Sequence, residues 1–263
     1  MFNETIKLAK GIGIVSPWPC IYLEKENTII ASDTHLGLED QREKIGIHIP
    51  GSIFEKVLGY VLTPIKSLDC NKIILLGDVK HEFGRPTEAE WYTVKKFVKS
   101  LREHGCEPEV VKGNHDNYII QVLKELNVKL HDPALRLGSY YLTHGNNDLE
   151  DDFKDAEYIF MGHEHPAITI KDDVGVKHRF KAFLSGKIKN WTVTVLPSIS
   201  PLSYGNPMNE MHKSEFMTPL LRKYGIDNFV PYLIEIGKAV KRFPEIKHLM
   251  VEQTFVEYSD RED

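Results

Sequence analysis

Between residues 28 and 116 short apolar runs alternate with stretches of helical periodicity, and no other feature constrains the fold of this chain as strongly. Residues 28–33 and 72–78 read as strands, the second a nearly continuous apolar run of the kind buried on both faces of a parallel sheet. Ser52 can cap a helix reaching about Ser67, with Phe54, Val57, Leu58, Val61 and Leu62 as its stripe and Pro64 inside it. Thr87 can cap a second helix to Glu103, whose Trp91, Val94, Phe97, Val98 and Leu101 recur at helical spacing. A third strand covers residues 109–112. Strand, helix, strand, helix, strand predicts a parallel sheet with right-handed crossovers, which binds ligands beyond the carboxyl ends of its strands.

Polar residues stand at those ends. The first strand stops on Asp33-Thr34-His35, the second on Gly77-Asp78, the third on Gly113-Asn114-His115-Asp116. Gly113 is expected to supply a backbone conformation closed to other residues. Two-residue steps along extended segments would point Asp33 with His35, and later His163 with His165, to common sides. Asp116 could orient His115 or cap the next helix.

The remaining text gives a strand at residues 19–25 and an excursion over the strand end at 36–51. It continues with a loop at 79–86, a short helix at 118–126 and a hairpin at 135–143 turning on Gly138-Ser139 and ending on His144-Gly145. Residues 158–161 form another apolar strand, ending on Gly162-His163-Glu164-His165. From 167 to 197 β-rich runs and turns suggest a mostly antiparallel second sheet. Residues 198–219 suit an ordered loop or a homodimer contact, 224–242 two short helices, and 258–263 a frayed acidic tail. The expectation is one domain over residues 1–263, with 198–263 an extension of loops and short helices.

At 263 residues, 41% hydrophobic and 27% charged, the chain can bury a sizeable core and is neither disordered nor fibrous in composition. A net charge of −5 argues against a broad basic footprint for nucleic acid, although Lys177, His178, Arg179, Lys181, Lys187 and Lys189 form a local cluster. Cys20, Cys70 and Cys106 lack metal-ligand spacing and fit buried, reduced thiols. With no apolar stretch of membrane-spanning length and no leader pattern, a cytoplasmic protein without membrane contact is expected.

Asp33, His35, Asp78, Asn114, His144, His163 and His165 together make an oxygen and imidazole donor set without thiolate. Such a set suits Mn²⁺, Fe²⁺ or Zn²⁺ better than Ca²⁺, and it exceeds what one tetrahedral ion needs. Two ions would stabilise both the attacking and the leaving oxygen of an in-line phosphoryl displacement.

Asp33-x-His35, Gly77-Asp78, Gly113-Asn114-His115-Asp116, His144-Gly145 and Gly162-His163-x-His165 resemble, in order, the five motifs of the calcineurin-like metallophosphoesterases. The resemblance implies an α/β fold, a four-layer αββα sandwich of two mixed sheets, holding two divalent ions, Mn²⁺ foremost with Zn²⁺, Fe²⁺ or Mg²⁺ as alternatives. It implies that Asp33, His35 and His165 hold one ion, that Asn114, His144 and His163 hold the other, and that Asp78 bridges. His115 would contact the scissile phosphate and protonate the leaving oxygen. His81, three residues after Asp78, resembles the histidine that positions a phosphodiester in the nuclease branch, and residues 77–84 look like the prokaryotic DNA-ligase-associated or ICC-like subgroup. The activity implied is hydrolysis of phosphodiesters by metal-bound hydroxide, on a small molecule or nucleic acid. A nuclease acting on nucleic-acid ends or single strands and a non-catalytic scaffold are the competing readings.

Overall fold

A computed structural model describes residues 4–39, 46 and 52–250; the acidic tail and most of the 36–51 excursion lie outside the described residues. The first sheet contains β1 (Thr5–Ala9), β2 (Ile12–Val15), β3 (Ile21–Leu23) and β4 (Thr28–Ala31), each antiparallel to the one before. It continues, after helix α1 (Ile53–Ser67), with β5 (Lys72–Leu76); after α2 (Glu88–Glu103), with β6 (Glu107–Val111); and after α3 (Ile120–Glu125), with β7 (Lys129–His131). β4 to β7 pair in parallel, in chain order, as the alternation of the sequence requires.

Both expected caps form. The Ser52 hydroxyl accepts from Glu55 N, and Thr87 closes a reciprocal capping box with Glu90, an arrangement that stabilises a helix start by ~1 kcal/mol. Pro64 lies in the last turn of α1 and cannot donate to the Tyr60 carbonyl; the buried Cys20 Sγ, 3.8 Å away, faces that carbonyl instead. The three cysteines are free and buried.

The second sheet is built from β8 (Ala134–Leu137), β9 (Tyr140–Thr143), β10 (Tyr158–Met161), β11 (Pro166–Lys171), β12 (Lys177–Ile188), β13 (Trp191–Val195) and β14 (Asn206–Pro207). Its order is β14-β11-β12-β13-β10-β9-β8, with β9, β10 and β13 mutually parallel and the hairpins around them antiparallel. Beyond α4 (Pro219–Tyr224) the chain returns as β15 (Val230–Glu235), antiparallel to β12, and β16 (Ala239–Arg242), antiparallel to β15. This corrects the expectation of two short helices in 224–242: a short apolar run such as Val230-Pro231-Tyr232-Leu233-Ile234 carries no helical period, and its exposed partner closes on Gly237.

The product is an α/β sandwich of two mixed sheets. Between the sheets lie Ile14, Ile30, Ile74, Leu76 and Val111 from the first and Leu142, Phe160, Phe183, Leu196 and Tyr232 from the second. α1, α2 and α3 cover the outer face of the first sheet through Phe54, Val57, Phe97, Leu101 and Leu123. The outer face of the second sheet is covered more thinly, by α4 and loops carrying Phe153, Phe216, Leu221 and Phe229. Among the described residues no helix is long and apolar enough to cross a membrane.

A candidate metal centre where the strands end

The parallel strands β4, β5 and β6 all stop at one edge, and the turns that follow are bonded to one another. Asp33 N donates to the Gly77 carbonyl, His35 N to the Asp78 carbonyl and Leu36 N to the Val79 carbonyl, so the first two turns run side by side. Asp116 ties in the third. Its buried carboxylate accepts from Val79 N and Gly113 N, both at 3.0 Å. It neither orients His115 nor caps the next helix by a side-chain bond, which corrects both expected roles. Burial, with Asp78 close by, raises its carboxyl to about 6. Gly113 also departs from expectation, because its φ is not positive. What excludes a side chain there is space, since a Cβ would strike Asp78 Oδ1 and the Asp78 amide.

The second sheet supplies the facing donors. His144 follows β9, and His163 and His165 follow β10. Among the described residues the structure gathers three triads, each with one ligand atom per residue mutually within 4.8 Å: Asp33 with His35 and His165, Asp78 with His144 and His163, and, without a carboxylate, His35 with His81 and His115. In the first, His165 Nε2 lies 3.2 Å from both Asp33 Oδ1 and His35 Nε2. In the second, His144 Nε2 lies 3.4 Å from Asp78 Oδ2, 3.1 Å from His163 Nδ1 and 3.0 Å from Asn114 Oδ1. All seven sequence-derived donors are therefore brought together.

The route is different from the one expected. His163 and His165 do not share a side but diverge into separate triads, and the segments are not extended. Asp33, His35, Asp78, His163 and His165 have φ of 55°, 44°, 48°, 68° and 47°, five of the nine non-glycine residues with positive φ among those described. A left-handed residue costs roughly 1–2 kcal/mol, and such strain collects where a site fixes it. Here the surroundings enforce it. Ser198 Oγ donates to the Asp33 carbonyl at 2.8 Å, Ile199 N to the Ser32 carbonyl at 3.0 Å, and Nζ of the half-buried Lys181 holds this loop through the Ser198 carbonyl at 2.6 Å. Burial lowers the Lys181 ammonium to about 7. Behind His165, Ser203 Oγ meets Nδ1 at 3.0 Å. Glu164, buried between the two histidines, accepts from Thr218 N at 2.5 Å. The sequence reading missed Lys181, Ser198, Ser203 and Glu164; only the position of Glu164 inside the His163-x-His165 motif could have drawn notice.

The protonation pattern fits a pair of divalent cations. Burial holds His35 down to about 3 and His163, with His144 as a second cause, to about 4, so both rings keep free lone pairs at neutral pH. Burial favours protonated carboxyls, yet the histidines around them hold Asp33 and Asp78 below the usual range. His144 Nδ1 donates to the Leu76 carbonyl at 2.8 Å, which turns Nε2 toward Asp78. Burial alone would lower that ring; the hydrogen bond and charge of Asp78 raise it to about 9, so Nε2 holds a proton at the place a cation would take. With oxygen and imidazole donors and no thiolate, the pocket could hold divalent metal ions.

His115 and His81 lie against this centre. His115 N donates to Asp78 Oδ1 at 2.9 Å, its Nδ1 donates to the His81 carbonyl, and its Nε2 is 3.6 Å from Asp78 Oδ2. His81 Nδ1 lies 3.5 Å from His35 Nδ1, and the His81 and His115 rings stack at 5.8 Å. The basic cluster, in contrast, is already engaged. Lys177 meets Glu210 at 2.6 Å, His178 meets Asp172 at 3.0 Å, Arg179 donates to the Gly205 carbonyl, Lys189 meets Glu150, and Lys181 is internal. Lys187 is exposed.

No protein-family model and no curated protein matches the chain. Among solved structures it is similar to the nuclease MPE of Pseudomonas putida, at 18% identity and a TM-score of 0.64 over 92% of this chain and 100% of that one. A protein of unknown function, AQ665 from Aquifex aeolicus, aligns at 18% identity and a TM-score of 0.37 over 52% of this chain and 77% of that one. The phosphoesterase Yfce of E. coli aligns at 17% identity and a TM-score of 0.40 over 83% of this chain and 98% of that one. The first of these likenesses shows a shared fold.

Proposed function

We propose that this chain, which shares its fold with a metal-site architecture of the metallophosphoesterase type, is a dinuclear metal-dependent phosphodiesterase of the cytoplasm. The observation that carries the reading is the pair of adjoining triads, Asp33–His35–His165 and Asp78–His144–His163, with Asn114 beside the second. Asp33, His35 and His165 would hold one ion, Asn114, His144 and His163 the other, and Asp78 would serve both. Manganese suits the set best. Two divalent ions would supply an activated water and Lewis-acid stabilisation of the displacement at phosphorus.

The chain's own residues do the rest. Because His115 Nδ1 is engaged by the His81 carbonyl, the proton it can pass to a leaving oxygen sits on Nε2, the atom facing Asp78. His81, beside His35 and stacked on His115, would position the second ester of the substrate. A residue that serves a second ester favours diesters over monoesters.

Two variants test this. Asp78→Ala should lose bound metal and turnover together, whereas His115→Ala should keep its metal content and lose ~10²–10⁴-fold in kcat on a chromogenic diester. Undiminished turnover in His115→Ala would sink its role. A purified wild type inactive with Mn²⁺, Zn²⁺, Fe²⁺ and Mg²⁺ would favour the scaffold reading.

A nuclease is the second reading. It is supported by His81 and by the fold shared with a nuclease, and the DNA-ligase-associated subgroup would be its nearest setting. The engagement of most of the basic cluster counts against many phosphate contacts, so affinity for nucleic acid should fall only shallowly with salt.

A further inference from the structure

A single hydrogen bond does not fix an imidazole. His115 Nδ1 donates to the His81 carbonyl, which leaves the ring free to tilt about that bond and to carry Nε2 away from Asp78 Oδ2, 3.6 Å distant. A flat contact removes that freedom. The Phe83 ring lies 3.5 Å from the His115 ring, centroid to centroid, at an interplanar angle of 30°, and the His81 ring lies 5.8 Å away at 25°. Both planes follow that of the imidazole.

Phe83 is itself 56% exposed, so its place is set by its backbone more than by packing. That backbone is fastened on both sides. Before Phe83, Glu82 N donates to the buried Glu90 carboxylate at 2.9 Å; after it, the Gly84 carbonyl accepts from Nζ of the wholly buried Lys80 at 3.2 Å. Glu90 also accepts from Thr87 N at 2.9 Å, and His81 N donates to the Leu36 carbonyl at 3.1 Å. Two buried charges thus order a short loop whose exposed apolar ring meets the imidazole, at a cost that a loop serving no site would not carry.

We propose, resting on the phosphodiesterase reading above, that Phe83 is a positioning residue for proton delivery: its face holds the His115 imidazole with Nε2 turned toward the leaving oxygen. In hydrolysis the bond from phosphorus to that oxygen breaks as water adds to phosphorus and gives up a proton to solvent. The departing electron pair stays on the leaving oxygen, which takes the Nε2 proton of His115. An oxygen of low basicity can depart without a proton and a basic one cannot, so the benefit of a well-aimed acid grows with the basicity of the leaving group. A ring contact of this kind is worth at most about tenfold in a rate. It acts on the chemical step and leaves the binding of metal and substrate alone.

The test compares diesters that differ only in leaving group, methyl 4-nitrophenyl phosphate and methyl phenyl phosphate, hydrolysed by the Mn²⁺-loaded full chain. Phe83→Ala should keep metal content, thermal midpoint and KM, and should lose about tenfold in kcat on the phenyl ester but no more than about twofold on the nitrophenyl ester, whose leaving oxygen is less basic. Phe83→Leu, apolar and bulky but without a flat face, should show the same selective loss, and Phe83→Tyr should behave as wild type. NMR of the metal-free protein gives a reading without turnover. The ring-proton resonances of His115, assigned by their absence in His115→Gln, should move downfield in Phe83→Ala, because the ring current of the stacked phenyl is gone. Equal losses on both esters, a loss confined to KM, full activity of Phe83→Ala on the phenyl ester, or unmoved His115 resonances would overturn the proposal. His115→Ala is run on the same pair of esters. Equal losses there would strike the acid role of His115 and the proposal with it, whereas a larger loss on the phenyl ester there, beside equal losses in Phe83→Ala, would strike the proposal alone.

Discussion

Two regions of the molecule are dense in charge and differ in how deeply that charge is buried and in how much left-handed backbone they hold. At the strand ends Asp33, Asp78, Asp116 and His144 are buried, share hydrogen bonds with backbone, and include residues forced into left-handed conformations. On the surface of the second sheet, Glu150 gathers Lys189, Lys223 at 2.6 Å and the Tyr224 hydroxyl at 2.6 Å, with one left-handed residue, Lys189 at φ 52°, in the turn between β12 and β13. Hydrogen bonds from Lys189, then Lys223 and Tyr224, hold its carboxyl below the usual range. Both regions perturb acidity; only one concentrates unfavourable features that a fold would otherwise shed. Charge density does not mark a site, but charge kept dry on a strained backbone does.

That contrast can be broken by substitution. The largest effect is expected from Gly113→Ala, whose Cβ would collide with Asp78: overpacking of this kind destabilises by ~1–3 kcal/mol, and metal content measured by mass spectrometry should fall with the thermal midpoint. A stable, fully metallated variant would mean that the turns yield more readily than their bonding implies. Next comes Glu90→Ala, which strands the Glu82 and Thr87 amides and removes half of a capping box. A loss of about 1–2 kcal/mol in urea unfolding should accompany a weaker hold on His81, read as a raised KM. The smallest belongs to Glu150→Gln, which should leave metal content, turnover and thermal midpoint as they are, because exposed ion pairs contribute little. A drop in activity there would erase the distinction between the two regions.

Much of this was legible in the sequence. The parallel half of the first sheet followed from the alternation of runs and stripes, and Ser52 and Thr87 marked helix starts because their side chains can accept the orphan amides of a first turn. The hairpin β1–β2 was not legible. Lys7, Lys10, Gly11 and Gly13 dilute its apolar pattern, and Gly13 is there because a Cβ would meet Thr5 across the pair. Trp91 shows a subtler miss: it fits the stripe of α2 but stays half-buried, while Glu90, polar by type, is the residue that is buried. At the site, residue types at strand ends were enough to pick out side chains that the fold gathers. Their geometry was not, since left-handed backbone and the parting of His163 from His165 depend on bonds from Ser198, Ser203 and Lys181, far along the chain and unmarked by any local pattern.

The turns after β4, β5 and β6 are laced together by Asp116, by the Gly77, Asp78 and Val79 carbonyls and by the Asp78 side chain. A plate riveted at so many points leaves its donors no freedom to drift one at a time. Divergence among descendants of such a protein would then be channelled to its margins, where a ring such as Phe83 can be exchanged without disturbing the anvil beneath it.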